Sequence, residues 1–321
     1  MPTETSPAGV IHDLGYRSYE GPRLGRRQII VALMGHSFRS AFGFGRPARA
    51  KIVPVIALLG LLLPAIVNAF AMSRGNPRIV SYDTYSPVLR NLIMTLFVAV
   101  QAPELVSRDI RSRVLPLYFS RPIKPVDYPL AKYLGFTAAC LTLMEVPLLA
   151  LYAGSIANVH GGSQVWAQTK ALIPGLLVGL MWAIVLAAIG LFLASTTGRR
   201  AFATGAVAIF FLLTYTLAEI LLQIESAVRG PGPGAVQGGP GGPPVHLAFT
   251  PPPPPLAEKV SGLFSPFTLF DGVRMWFGAT NIGDNVPKVG AFGAVYALVL
   301  LVVLGACLAG LAARYRKATL A

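Results

Sequence analysis

Three carboxylates fall within or at the ends of long apolar runs: Glu104, Glu145 and Glu219. A carboxylate at membrane depth is costly, so such groups line pathways, couple ions or pair with a partner. Glu145, near the middle of its run, is the best candidate for a pathway or ion-coupling role; a protonated or hydrogen-bonded packing role is the alternative. Glu104 and Glu219 stand near run ends, where solvation suffices. The other concentration of chemistry is residues 101–132, QAPELVSRDIRSRVLPLYFSRPIKPVDYPLAK, with nine charges, six of them basic. Lying between two apolar segments, it must be an aqueous loop. Ser107 to Tyr118 can form a short helix: Glu104 and Arg108 are at i,i+4 spacing, and Ile110, Val114, Leu115 and Tyr118 recur near one face. Pro122, Pro125 and Pro129 then break it into turns. A charged loop with an apolar stripe suits a partner's groove; a solvated connector would have the same composition. Catalytic motifs are missing: no phosphate loop, no H-E-x-x-H, no G-x-S-x-G and no paired Cys or His ligands. The four histidines, His12, His36, His160 and His246, fall in tails, interfaces and connecting loops. The expectation is a protein that is not an enzyme and binds no metal or cofactor of its own.

Composition says where these groups must sit. Hydrophobic residues make up 54% of the 321 and charged residues only 12%, against about 25% charged in ordinary soluble domains. The mean hydropathy of +0.61 agrees, and the chain reads as an all-α integral membrane protein. Its net charge of +14 flanks apolar segments, so membrane orientation explains it before nucleic acid does. Cys140 and Cys307 both lie in apolar segments and read as packing residues.

Six spans follow from apolar runs of about 20 residues: 52–72, 88–106, 133–156, 171–194, 201–222 and 289–313. Pro54 and Pro64 fall inside the first, and Arg90 near the outer end of the second is placed to snorkel to the headgroups. Before them, residues 1–26 read as a polar tail without the apolar core of a secretory leader. Residues 27–51 form an interfacial amphipathic segment, with Ile30, Leu33, Met34, Phe38, Ala41 and Phe42 on one face, closed by Arg46, Arg49 and Lys51 at the membrane boundary. Of the 27 Lys and Arg residues, 19 fall on one side of this arrangement. By the positive-inside rule that side is cytoplasmic. It holds both termini (1–26 and 314–321) and the loop 104–132 between spans two and three, in a multi-pass plasma-membrane protein. The large external segment, 223–288, has two parts. Arg229 to Pro255 contains 10 prolines and 7 glycines in 27 residues, a composition that cannot bury a core; a spacer or a binding motif is read there. Ser265 to Gly278, SPFTLFDGVRMWFG, reads as a short outer interfacial or re-entrant helix, either an anchor or the rim of an exit path.

This order of elements resembles the permease subunits of type-2 ABC exporters. The loop carries the likeness in residues: Glu104, then Ile110-Arg111-Ser112-Arg113-Val114-Leu115-Pro116-Leu117, then Ser120-Arg121-Pro122-Ile123, then Lys132. The segment Tyr16-Arg17-x-Tyr19-x-Gly21-Pro22-Arg23 is similar to actinobacterial members. Ser112-Arg113-Val114 departs from the family's small Gly-Thr pair, and the Pro/Gly-rich segment is not a general family feature. The resemblance implies that the loop is a coupling helix seated in a groove of a separate cytosolic ABC ATPase, which would bind the ATP. Its docking residues would be Arg108, Arg111, Arg113, Tyr118, Phe119, Ser120, Arg121 and Lys124. Six spans make half a transporter, so a second permease copy or a homologue is implied beside the lipid bilayer, with no nucleic acid. An ion-coupled secondary transporter using Glu145 stands as the alternative. An intramembrane enzyme would need a convergent polar cluster, which the sequence does not supply.

Overall fold

The protein was analysed as a computed structural model that describes residues 21, 25–76, 79, 82, 87–111, 118, 123–159, 161–229, 256–277 and 290–318; the side chains of 87, 88, 108, 110, 225–229, 256–258 and 318 are excepted. No strand occurs among the described residues. The helices are α1 (Arg26–Ala41), α2 (Ile52–Ser73), α3 (Pro87–Arg111), α4 (Asp127–Ala157), α5 (Gly162–Ser195), α6 (Arg200–Arg229), α7 (Leu256–Ser261), α8 (Pro266–Trp276) and α9 (Gly293–Ala318). Six of them, α2 to α6 and α9, are long and apolar enough to cross a membrane.

The six helices divide by burial. In α3, α4 and α5, 56% of the apolar window is buried, against 28% in α2 and 22% in α6 and α9. The first three therefore form the centre, and the others present leucine, isoleucine and valine outwards, as Ile56, Leu59, Ile66, Ile209, Leu212, Leu298 and Leu301 do. The centre closes on large buried rings, Phe97 stacked on Phe136 at 5.9 Å and Trp182 on Phe270 at 4.5 Å. Small residues let backbones approach, as in other helix pairs within lipid. At Gly135 of α4, a Cβ would lie 2.7 Å from the Ser37 Cβ and 3.2 Å from the Phe38 nitrogen of α1.

Two expected boundaries move. The third span was expected to begin at residue 133, but α4 begins at Asp127, whose side chain accepts the Lys124 backbone N–H. The fourth was expected from residue 171; α5 begins at Gly162. Its extra turns hold Gln168, which accepts from the Tyr82 hydroxyl at 3.1 Å, and Thr169, hydrogen-bonded to Tyr152 at 2.8 Å. Helix α1 ends at Ala41 and the chain turns through Gly43 at φ +73°, a left-handed conformation that favours glycine. Its buried face is Leu33, Ser37 and Ala41 rather than a wholly apolar one. Ser37 is tolerated there because its hydroxyl donates to the Leu33 carbonyl at 2.8 Å.

The short helix α8, expected as an outer interfacial or re-entrant helix, packs into the bundle. Ser265 caps it, accepting from the Phe267 N–H, and Pro266 occupies the first turn, the combination that starts helices well. All nine residues from Pro266 to Arg274 are buried. Phe267 and Phe270 contact Trp182, and Tyr296 of α9 fills the notch above Gly262 and Gly272. Only the end, Trp276 and Phe277, is exposed.

Candidate functional site

At the end of the bundle that holds Arg26 and Arg314, the base of the 112–126 connector is fastened on both sides. Helix α3 extends beyond its apolar window to Arg111, which carries Asp109 to the start of α4. There Lys132 Nζ lies 2.8 Å from Asp109 Oδ2, and the Tyr128 hydroxyl donates to the same oxygen. Tyr128 is wholly buried between Tyr118 of the connector, at 5.0 Å, and Tyr315 of α9, at 5.4 Å. Arg26 of α1 grips Asp127 through two hydrogen bonds of 2.7 and 2.6 Å, the paired geometry in which arginine binds carboxylate best. Arg314 donates to the carbonyls of Ser195 and Thr196, closing the last turn of α5. His36 of α1 faces this network. Partial desolvation of its ring, then the charges of Lys132 and Arg46, hold its pKa below the usual 6.5, with Asp109 opposing them.

Of the expected docking residues, Arg111, Tyr118 and Lys124 are described. Arg111 and Lys124 are exposed, and Tyr118 is partly covered by Tyr128. The side chains of Arg108, Arg113, Phe119, Ser120 and Arg121 lie outside the described residues. Of the expected helix over 107–118, residues 107–111 are the end of α3 and Tyr118 is helical, while 112–117 lie outside the described residues.

The three carboxylates do not converge. Glu104 is ion-paired: Arg46 approaches it at 2.8 Å and Arg200 pairs with its other oxygen. This triad ties the α1–α2 linker, α3 and the start of α6 together. Arg46, expected at the membrane boundary, is partly buried against Glu104. Glu219 is hydrogen-bonded to Tyr215 on its own helix. Glu145 stands apart. It lies against Gly179 of α5, and neither carboxylate oxygen has a partner among the described residues.

Arg90 is corrected as well. It is buried, with its guanidinium 4.2 Å over the Trp182 ring, because α5 and α8 cover the position where a headgroup was expected. Close by, Arg274 and Asp271 of α8 form an ion pair of 3.0 Å. Nothing in the sequence joins residue 90 to residues 182 and 271, although the i,i+3 spacing of Asp271 and Arg274 is itself a pairing signal. Tyr128 and Tyr315 had none. No group of three or more metal-ligating side chains occurs among the described residues. No protein-family model matches this chain, and no curated protein matches its sequence.

Proposed function

We propose that the chain is the transmembrane permease subunit of an ATP-driven ABC transporter, an exporter, with both termini and the 104–132 loop in the cytoplasm of a plasma-membrane protein. One observation carries this reading: the charged connector is clamped at its two ends to the most buried helices by Asp109, Lys132 and Tyr128. A partner pushing on such a connector moves α3 and α4 together instead of bending a loose loop. A nucleotide-binding subunit docking at Arg111, Tyr118 and Lys124, with the neighbouring Arg108, Arg113, Phe119, Ser120 and Arg121, would turn its closure into a rigid tilt of those helices. The exposed apolar faces of α2, α6 and α9 are compatible with a second permease beside the lipid. α8, inserted among α5, α6 and α9, would be the element whose displacement opens a path.

The test is a mild-detergent pull-down of the tagged chain from its native membrane, comparing wild type with Arg111→Glu/Arg121→Glu. A separate ATPase that co-purifies with wild type and is lost from a correctly inserted variant supports the reading. A stable wild type that brings down no ATPase after cross-linking sinks it. A second reading rests on Glu145, half-buried with neither oxygen partnered among the described residues: ion-coupled transport through that carboxylate. It requires substrate movement that follows an ion gradient in vesicles without ATP.

A further inference from the structure

Between α2 and α6, helix α3 is open along a narrow apolar strip. Leu92 and Leu96, one turn apart, are 57% and 51% exposed, whereas Met94, Phe97 and Val98 beside them are wholly buried. Both α2 and α6 pack on α3, and they stand as walls on either side of the strip. The α2 wall begins where Gly60 meets Ile93. Ile56 and Leu63, at helical spacing around Gly60, are exposed along it.

One end of this slot is closed by charge. Glu104 of α3 takes Arg46 of the α1–α2 linker on one oxygen and Arg200 of α6 on the other. From residue 92 to residue 104 the helix rises about 18 Å, close to the roughly 15 Å of hydrocarbon in one leaflet. Two arginines on one carboxylate leave a positive charge over. Three exposed cations flank them with no carboxylate partner among the described residues: Arg49 and Lys51 of the linker, and Arg199 before α6. The other carboxylates described at this end are committed, Asp109 to Lys132 and Asp127 to Arg26. Arg199 lies over the exposed Phe202 ring, and Phe44 of the linker is exposed as well, so cationic and apolar groups stand together at the foot of the slot.

We propose that this slot binds one anionic phospholipid of the leaflet at that end. An acyl chain runs along Leu92, Leu96 and Val100, and the headgroup meets Arg49, Lys51, Arg199 and the exposed Arg200. Charge selects the occupant: an apolar slot alone takes any lipid, whereas a foot with excess positive charge prefers a headgroup of net negative charge. The bound lipid bridges the α1–α2 linker and the start of α6 at the place where Glu104 already joins them. The inference rests on the six long helices crossing a bilayer and on nothing about what the chain transports, so it stands or falls apart from the permease reading.

Native mass spectrometry of the full chain, delipidated in mild detergent, reads the lipids it takes up. The probes are phosphatidylglycerol and phosphatidylcholine with the same acyl chains. One phosphatidylglycerol is expected to bind first and saturably, about tenfold tighter than phosphatidylcholine. Each exposed cation removed should weaken it about fivefold, so Arg49→Gln/Arg199→Gln should lose about 25-fold, with phosphatidylcholine binding unchanged. Arg27→Gln/Lys317→Gln removes equal charge from the start of α1 and the end of α9, away from the slot, and should leave the affinity nearly unchanged. Arg49→Lys/Arg199→Lys keeps the charge and should keep the preference. Equal affinity for the two lipids overturns the proposal, because binding would then need the apolar floor alone. Equal weakening by both glutamine pairs also overturns it, leaving only a diffuse surface attraction. So does loss of the preference in the lysine pair, and so does a wild-type dimer that takes up no lipid, in which a second copy covers the slot. Neither Arg49 nor Arg199 belongs to the Glu104 pair; should their glutamine variant still fail to fold, the lysine pair and the comparison of the two lipids decide.

Discussion

Removing Asp109 should cost far more than removing the lysine it pairs with. Lys132 has a side chain only 6% exposed and Asp109 one that is 18% exposed, with 2.8 Å between them. In Asp109→Asn the ammonium stays buried with no full counter-charge; its remaining favourable contact is the Tyr128 ring, 5.5 Å from Nζ. Breaking a buried pair from that side costs about 3–5 kcal/mol. In Lys132→Met the carboxylate keeps the Tyr128 hydroxyl as donor and some access to solvent, so the loss should be about 1–3 kcal/mol. Replacing both, Asp109→Leu/Lys132→Met, leaves no stranded charge and should restore stability to within about 1 kcal/mol of wild type. Equilibrium denaturant titration in detergent, followed by helical signal, reads all three. Equal losses for the two single variants, or a double variant that loses the sum of the singles, would refute the claim that this pair is buried and mutually compensating. Should the double variant be stable yet fail to couple a partner's ATP hydrolysis to transport, the clamp is needed for its charge geometry as well as for holding the fold.

Gly135→Ala should destabilise the chain by about 1–3 kcal/mol, because the added methyl meets the α1 backbone and Ser37; proteolysis near Arg26 should rise in parallel. His36 has a pKa below 6.5 in the folded chain, so the unfolded chain takes up more protons as pH falls through 6.5. Stability should decline from pH 8 towards pH 5.5, and His36→Gln should flatten that decline. Glu145→Gln should leave stability unchanged or raise it by about 1 kcal/mol, since it removes a carboxylate without a partner. Transport that survives in this variant argues against the ion-coupled reading, and loss of ion-gradient-driven transport without ATP from a folded variant argues for it. Ser265→Ala should cost about 1 kcal/mol through loss of the α8 cap, seen as a lower unfolding midpoint.

The helical class and the six long segments were legible because each is a continuous run of apolar residues, and hydropathy needs no partner to be read. What hydropathy cannot see is which face of a run meets protein and which meets lipid. Arg90 shows the consequence. By sequence it is a cation at the end of an apolar run, and only the arrival of Trp182 from α5 and Asp271 from α8 turns it inwards. The pairing of Arg46 with Glu104 was hidden in the same way, because it joins residues 58 positions apart. The buried tyrosines of the connector base have no local signature either. By contrast, the capping serine, the proline after it and the Asp271–Arg274 spacing are short-range features, and they were on the page from the start. The 101–132 stretch announced its charges but not its anchor, since Asp109 and Lys132 are told apart from their neighbours only by what buries them.

The contacts of Arg314 and Tyr315 carry a consequence for biogenesis. Ribosomes make these residues after the rest of the described chain, yet Arg314 ties off the end of α5 and Tyr315 completes the stack on Tyr128. Until they emerge, five of the six long apolar helices have already been made while the base of the connector lacks one of its walls. A newly made chain therefore passes through an interval in which the base of the connector is incomplete, and that base is firm only after synthesis has reached α9.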